Sequence, residues 1–330
     1  MYRFINLLLL ARVSIPFLSI YLAGKKLPKE QGAQFSFWQK IKNELPDLQN
    51  LEGPLQRRIY HYLFANSLTT QWFATLLDYT PSVTEKETGF YIATATPIAD
   101  YLVDREKLST GQIEEMLNQV STHPWQRLVS GLFSKSMEHH PDPSTGRKLI
   151  FQTLKAQEQS LLQHHNHLPF ESLKKITWDK GGYALLLYRS ALGPTMSKAE
   201  YEAVFQLGGL MQLHNDIFDL YRDTQEGIVT LPMVASSMRQ LSTFFQQEID
   251  KTYRLFITLP YRQYQKRKFF LLLYLAVQTG FHALKQYEAV EKKYGHFDPS
   301  QLTRSELVCD MDDLNKISKT VFATINKKHI

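Results

Sequence analysis

The sequence has a single cysteine, Cys309, in 330 residues. It therefore forms no internal disulfide and no thiolate zinc cluster, and this cysteine usage fits a reducing, cytoplasmic setting. Glycine and proline are also scarce, at 15 and 14 residues, which excludes collagen-like and low-complexity chains and leaves room for long elements. Charged residues make up 21% against 43% hydrophobic: too little charge for a disordered chain, and enough apolar mass for a full core. Alternating polar and apolar runs are rare, so strands are not expected. The 38 basic residues exceed the 32 acidic ones, but no basic stripe or recognition motif accompanies the excess, which argues against nucleic acid as a partner. Its one local concentration, Arg262, Lys266, Arg267 and Lys268, reads as a solvated helix start or as a contact for an anionic membrane surface.

Only one stretch, Phe4 to Gly24, approaches the ~20 apolar residues that cross a bilayer, and Arg12 and Pro16 interrupt it. It reads as a helix covering the bundle, a helix lying peripherally on a membrane surface, or a signal peptide. The expectation is a retained helix on a cytoplasmic body.

What the sequence has in abundance is helical spacing. In LQRRIYHYLFANSLTTQWFATLLDY, residues Ile59, Tyr62, Leu63, Leu68, Trp72, Phe73 and Leu76 fall mostly three to five apart. Similar patterns predict helices near 35–45, 54–79, 91–106, 111–120, 124–135, 146–163, 170–189, 197–226, 232–256, 261–292 and 299–326, hence an all-α chain forming one domain over 1–330. The segment MEHHPDPSTG, 137–146, is the clearest loop.

The chemistry concentrates in QLGGLMQLHNDIFDLYRDTQEGIVTLP, 206–232. Asn215, Asp219 and Asp223 stand at i, i+4 and i+8, so a helix puts them on one face, with the outer pair about 12 Å apart by rise. Apolar neighbours surround them. The face is either solvated or, since buried acids are costly without a cation, built to meet one. Asp and Asn work against helix propensity, and a local rule broken often marks a functional site. A second pair, Asp100 and Asp104, repeats the i, i+4 spacing; the competing reading is that Thr96 caps and Pro97 opens a new helix whose dipole Asp100 complements. Together the five oxygen ligands suit Mg²⁺ or Mn²⁺ bound jointly by carboxylates and substrate phosphates, with the metal stabilising charge on a leaving diphosphate. His139, His140, His164, His165 and His167 read as solvated turn residues rather than a transition-metal site, and most aromatic residues as core.

The string N-D-I-F-D-L-Y-R-D, Asn215 to Asp223, resembles the second metal motif of class I terpene synthases. Asn215, Asp219 and Asp223 take its metal positions and Arg222 its basic one; Asp223 replaces the usual Glu, and Asp219 the usual Ser or Thr. Asp100-x-x-x-Asp104 is similar to the first aspartate motif of squalene and phytoene synthases and of bacterial large-terpene synthases. The run Asp179-Lys180-Gly181-Gly182-Tyr183 resembles the Gly-Gly segment of the large-terpene group. The resemblance covers roughly 91–232. It implies an isoprenoid synthase bundle around a central apolar cavity, a prenyl diphosphate substrate, and Mg²⁺ held by Asp100, Asp104, Asn215, Asp219 and Asp223, with Arg222 as a diphosphate contact; Lys180 and Arg189, one helix upstream, are further candidates by charge and position alone. Neither DDxxD nor the RRG signature of chain-elongating enzymes is present, so cyclisation is the first expectation. Head-to-head prenyl transfer is the second, and a non-catalytic helical scaffold or membrane-surface protein the third.

Overall fold

The computed structural model describes residues 2–25, 33–118, 123–164, 168–311 and 313–327. Helix makes up 82% and, among the described residues, there is no strand, as the apolar spacing predicts. The α-helices are α1 (Tyr2–Lys25), α2 (Ala33–Glu44), α3 (Gly53–Leu77), α4 (Val83–Asp104), α5 (Thr110–Asn118), α6 (Pro124–Glu138), α7 (Pro143–Ser160), α8 (Phe170–Ser190), α9 (Lys198–Phe218), α10 (Leu220–Glu226), α11 (Leu231–Val234), α12 (Met238–Ile257), α13 (Gln263–Tyr294), α14 (Arg304–Leu307) and α15 (Leu314–Ile325). The chain, expected to form one domain, divides into two compact units. The first holds Met1–Val13, Gln159–Leu185 and Ser197–Ile330; the second holds Ser14–Glu158 and Leu186–Met196.

In the second unit α4 is the central helix, packed on α3 and α6 and buried from Thr88 to Asp100 except at Thr96. It starts well before the expected position because Ser82 and Glu85 form a capping box: the Ser82 hydroxyl accepts the Glu85 N–H, and the Glu85 carboxylate accepts the Ser82 N–H. Burial acts against the Glu85 charge, but donors from Tyr79, Ser82 and Gly193 outweigh it and hold the carboxyl below its usual range. Pro97 lies inside this helix, so the reading in which it opens a new one is overturned. A proline interior to a helix costs about 3 kcal/mol, which the capped start and the buried face of α4 offset. Thr96 does not cap; its hydroxyl donates to the Ile92 carbonyl at 2.8 Å.

In the first unit, α8 and α9 cross with backbones in contact. A Cβ on Gly181 would sit 2.2 Å from the Gly208 carbonyl oxygen, and one on Gly208 would sit 2.3 Å from the Gly181 oxygen. Nearby, a polar chain fastens α8, α9 and α12: Trp178 Nε1 donates to Gln206 (3.1 Å), Gln206 to Glu248 (2.8 Å), and Lys174 to Glu248 (2.9 Å). The apolar side of α9, with Leu207, Leu210, Leu213 and Ile217 fully buried, faces α12 and α13.

Several boundaries differ from expectation, each for a local reason. The 137–146 loop narrows because α6 reaches Glu138 and Asp142 accepts the Thr145 N–H at the start of α7. The helix expected over 232–256 starts twice, at Leu231 and again after Ser237, whose hydroxyl accepts the Gln240 N–H. The one expected over 299–326 breaks because Thr303 and Asp313 each cap a separate helix. The basic group at the start of α13 is not solvated throughout: Lys266, 3% exposed, donates to the carbonyls of Ile257 and Leu259 at the end of α12 (2.7 and 3.0 Å), and Arg267 donates to Asn6. The apolar N-terminal stretch is one helix, α1, continuous through Pro16. Among the described residues no helix is long and apolar enough to cross a membrane.

The α8–α9 contact generates a test. Gly181→Ala should force the crossing apart and destabilise the protein by about 1–3 kcal/mol. Ala at Gly227, a helix-ending position with φ 68° and open space around it, should cost only about 1 kcal/mol. A thermal melt in which the two variants lose equal stability would show that the backbone contact is not limiting.

Candidate functional site

The sequence places Asn215, Asp219 and Asp223 on one face, and the structure keeps them there, though not on one unbroken helix. Asn215 is in the last turn of α9, Asp223 is in α10, and Asp219 is the residue between them, at φ −84° and ψ 3°. Two i→i+4 bonds of 2.8 Å, Asp219 N–H to the Asn215 carbonyl and Asp223 N–H to the Asp219 carbonyl, carry the helical course across the joint. The site is fixed from behind by Tyr287 of α13, whose buried hydroxyl lies 2.8 Å from both the Ile217 and the Leu307 carbonyls.

The side chains form a graded set. Asn215 is exposed, Asp219 half-buried and Asp223 buried. Asn215 Nδ2 donates to Asp219 Oδ2 at 2.8 Å, and the Arg222 guanidinium donates to that same oxygen and stands 3.8 Å from Asp223. A third acid, Asp216, is not among the residues that the i, i+4 spacing picks out. It is 5% exposed and accepts hydrogen bonds from Thr177 (3.2 Å) and Gln212 (2.8 Å). Burial raises Asp216 to about 6, with Asp219 adding repulsion and Gln212, Lys180 and Thr177 opposing. Burial likewise raises Asp223 to about 7, reinforced by Asp216 and Asp219 and opposed by Arg222 and Lys180. His214 does not add positive charge: burial lowers it to about 4, and its Nε2 lies 2.8 Å from the Thr279 hydroxyl.

Lys180 thus belongs to this group, through its charge on Asp216 and Asp223. Arg189 does not: it is 1% exposed, stacks its guanidinium 5.9 Å from the centre of the Phe73 ring, and donates to the Leu192 carbonyl. The sequence signal for Asp216 was its place inside N-D-I-F-D together with Thr177 and Lys180, which stand three apart in α8 ahead of the glycine pair.

Asp100 and Asp104, in the second unit, lie at the end of α4. Asp100 is buried and accepts from Arg58 (2.9 Å) and from the Tyr62 hydroxyl (3.1 Å). Burial and the Asp100 charge push the Tyr62 phenol far up, and burial does the same to Tyr188 nearby, so both stay neutral. Asp104 is half-buried and accepts from Gln157 at 2.9 Å. The spacing Arg58-x-x-x-Tyr62 puts both partners on one face of α3, a signal that the sequence reading passed over.

Of the histidines, His140 is not solvated: it is buried, accepts the Asp142 N–H (3.0 Å) and stands 3.1 Å from Ser190 Oγ. His139 lies at the end of α6 and His164 at the end of a short 3-10 turn; His165 and His167 fall outside the described residues.

Among the described residues no three Asp, Glu, His or Cys side chains converge as a ready-made metal cage. Mg²⁺ characteristically takes one or two carboxylates and completes its shell with water and substrate phosphate. The donors around Asn215 fit such an ion. They are hard oxygens on adjacent turns, and burial, reinforced by repulsion from Asp216 and Asp219, holds Asp223 at about 7, a cost that a divalent cation relieves. Comparison with protein-family models, curated proteins and solved structures returns no match for this chain.

The raised acids set a pH dependence. Their folded values lie above the ordinary 3.8, so the folded state binds the extra protons; this stabilisation is complete below about pH 4 and is lost as pH rises through 6 and 7. Asp223→Asn should therefore raise the melting temperature of the metal-free protein at pH 8 by about 2–8 °C and change it little at pH 4. Equal shifts at both pH values, read by calorimetry, would contradict the raised value.

Proposed function

We propose that the protein is a Mg²⁺-dependent class I terpene synthase that ionises a prenyl diphosphate and releases diphosphate, with cyclisation or elimination of the resulting allylic cation. The observation that supports this reading above all is the Asn215, Asp219, Asp223 face, in which a motif-like oxygen set stands beside Lys180 and Arg222 and includes a carboxyl, Asp223, raised by burial and by its acidic neighbours.

Bound Mg²⁺, or Mn²⁺ in its place, would supply Lewis-acid stabilisation of the departing diphosphate. The Asn215 carboxamide oxygen and the Asp219 and Asp223 carboxylates would hold it. Asp100 and Asp104 are the further oxygen ligands in this reading; Asp100 accepts from Arg58 and Tyr62, and Asp104 from Gln157. Arg222 reaches the diphosphate by exchanging its contact with Asp219 for phosphate oxygens, a planar fork suited to two parallel hydrogen bonds. Lys180 supplies a second positive charge from α8. His214, neutral, leaves the total charge around the leaving group to these two side chains and the metal. An apolar cavity that holds the prenyl chain away from water completes the proposal.

Incubation with prenyl diphosphates of increasing length should give Mg²⁺-dependent diphosphate release that excess EDTA abolishes, with a hydrocarbon or alcohol product. Asp219→Ala and Asn215→Ala should lower the rate by at least about 100-fold while the circular dichroism spectrum stays helical. Arg222→Lys should retain part of the activity and Arg222→Ala very little. Release that persists in EDTA would remove the metal from the reaction, and a single product containing two prenyl chains would assign head-to-head transfer instead.

A further inference from the structure

The start of α1, as far as Val13, and α15 share a side of the first unit. In α1, Asn6, Leu9, Leu10 and Val13 are buried, an i, i+3, i+4, i+7 face. Leu9 and Leu10 pack on Leu271 of α13, with Val321 and Ile325 of α15 against the same cluster. Asn6 is a clasp: its carbonyl oxygen accepts from Arg267 (2.7 and 3.0 Å), and its Nδ2 donates to the carbonyls of Ile325 (3.0 Å) and Lys327 (3.2 Å) at the end of α15. The inward faces are thereby satisfied.

Apolar side chains also stand exposed on both helices, on the outward face of α1 and, on α15, at Phe322 and at the uncovered start of its apolar stripe. Phe4, Leu7 and Leu8 of α1 are 65%, 44% and 55% exposed; Leu314, Ile317 and Phe322 of α15 are 80%, 44% and 62% exposed. These residues make up half of the large hydrophobic side chains that stand exposed among the described residues. Large exposed apolar side chains gathered on adjoining elements call for a covering phase.

The charge pattern says which phase. Residues 1–29 carry five basic side chains and no acidic one, and residues 314–330 carry four lysines and no acidic residue. The remaining chain holds 29 basic residues against 32 acidic, so the protein's whole positive excess resides in the two terminal segments that expose apolar side chains. Arg12 on α1 and Lys319 on α15 are exposed. A second copy of the chain meeting this face would bring like charges together, whereas an anionic bilayer offers both an apolar interior and opposite charge.

We infer that the exposed apolar side chains of α1 and α15, with the cations beside them, form an interfacial surface that docks the protein peripherally on an anionic lipid bilayer. The helices lie along the headgroup region, Phe4, Leu8 and Phe322 enter the acyl boundary, and the flanking cations meet lipid phosphates. This surface does not depend on the reaction proposed above.

Vesicle flotation of the full chain tests it. The protein should float with vesicles of phosphatidylcholine mixed with phosphatidylglycerol, remain in solution with phosphatidylcholine alone, and be released by high salt. The double variant Leu8→Ser/Phe322→Ser should bind at least about tenfold more weakly, and the charge reversal Arg12→Glu/Lys319→Glu should do the same. Both pairs are exposed, so the melting temperature should hold. Val83→Ser, at a 73% exposed apolar position of the second unit, should float like the wild type. Failure of the wild type to float, or equal flotation of the wild type and both double variants, would overturn the inference. So would sedimentation showing a dimer that Leu8→Ser/Phe322→Ser dissociates while vesicle binding is unchanged, which would make the face a contact between copies.

Discussion

The candidate site depends on the distance at which α8 crosses α9. Two helices with ordinary side chains between them stand 8–10 Å apart; at Gly181 and Gly208 the two backbones touch. Only at that separation does the short Thr177 hydroxyl reach Asp216, and only there does Lys180 act on both Asp216 and Asp223. The surrounding aromatic residues are fitted to the same approach, with the Phe205 ring against Gly182 and the Trp178 ring against Gly209. Trp178 in turn starts the polar chain through Gln206 to Glu248, so the crossing also anchors α12.

Two buried acids show two answers to the same electrostatic problem. Asp100 receives a guanidinium and a phenol directly, and its charge is met within its own unit. Asp216 receives only the neutral donors Thr177 and Gln212, with Lys180 acting through space, and its neighbour Asp223 shares Arg222 with Asp219. Replacing a hydrogen-bonded ion pair with neutral donors leaves more of the desolvation cost uncompensated. The first arrangement is close to self-sufficient, whereas in the second burial holds both carboxyls above their usual range.

The helical character of the chain was legible because it rests on apolar spacing that recurs over hundreds of residues. The breaks were not, because each turns on one side chain in a tertiary setting. Pro97 looks like a helix start until Ser82 and Glu85 are seen to cap further back. Lys266 reads as a solvated cation until the carbonyls at the end of α12 are placed beside it. In the site, Asn215, Asp219 and Asp223 announce themselves by spacing alone. Asp216 does not, since its part comes from α8, and Arg58 does not, since its partner lies on α4. Spacing reports which residues share a face; it does not report what the other helix brings to that face.

Asp219 stands between α9 and α10 as a single residue outside regular helix. The consequence is mechanical. Asn215 rides on a long helix fixed by its buried leucines, while Asp223 rides on α10, a short segment that packs on α14 and ends at Gly227 in the left-handed region. A rotation about the Asp219 backbone would change the span from Asn215 to Asp223 while α9 stays packed on α12 and α13, at the expense of the two hydrogen bonds that bridge the joint. An unbroken helix would fix that span near its ideal rise and admit one ion radius well. In the reading proposed above, a joint at Asp219 would let the spacing of the three oxygen donors adjust to a bound cation.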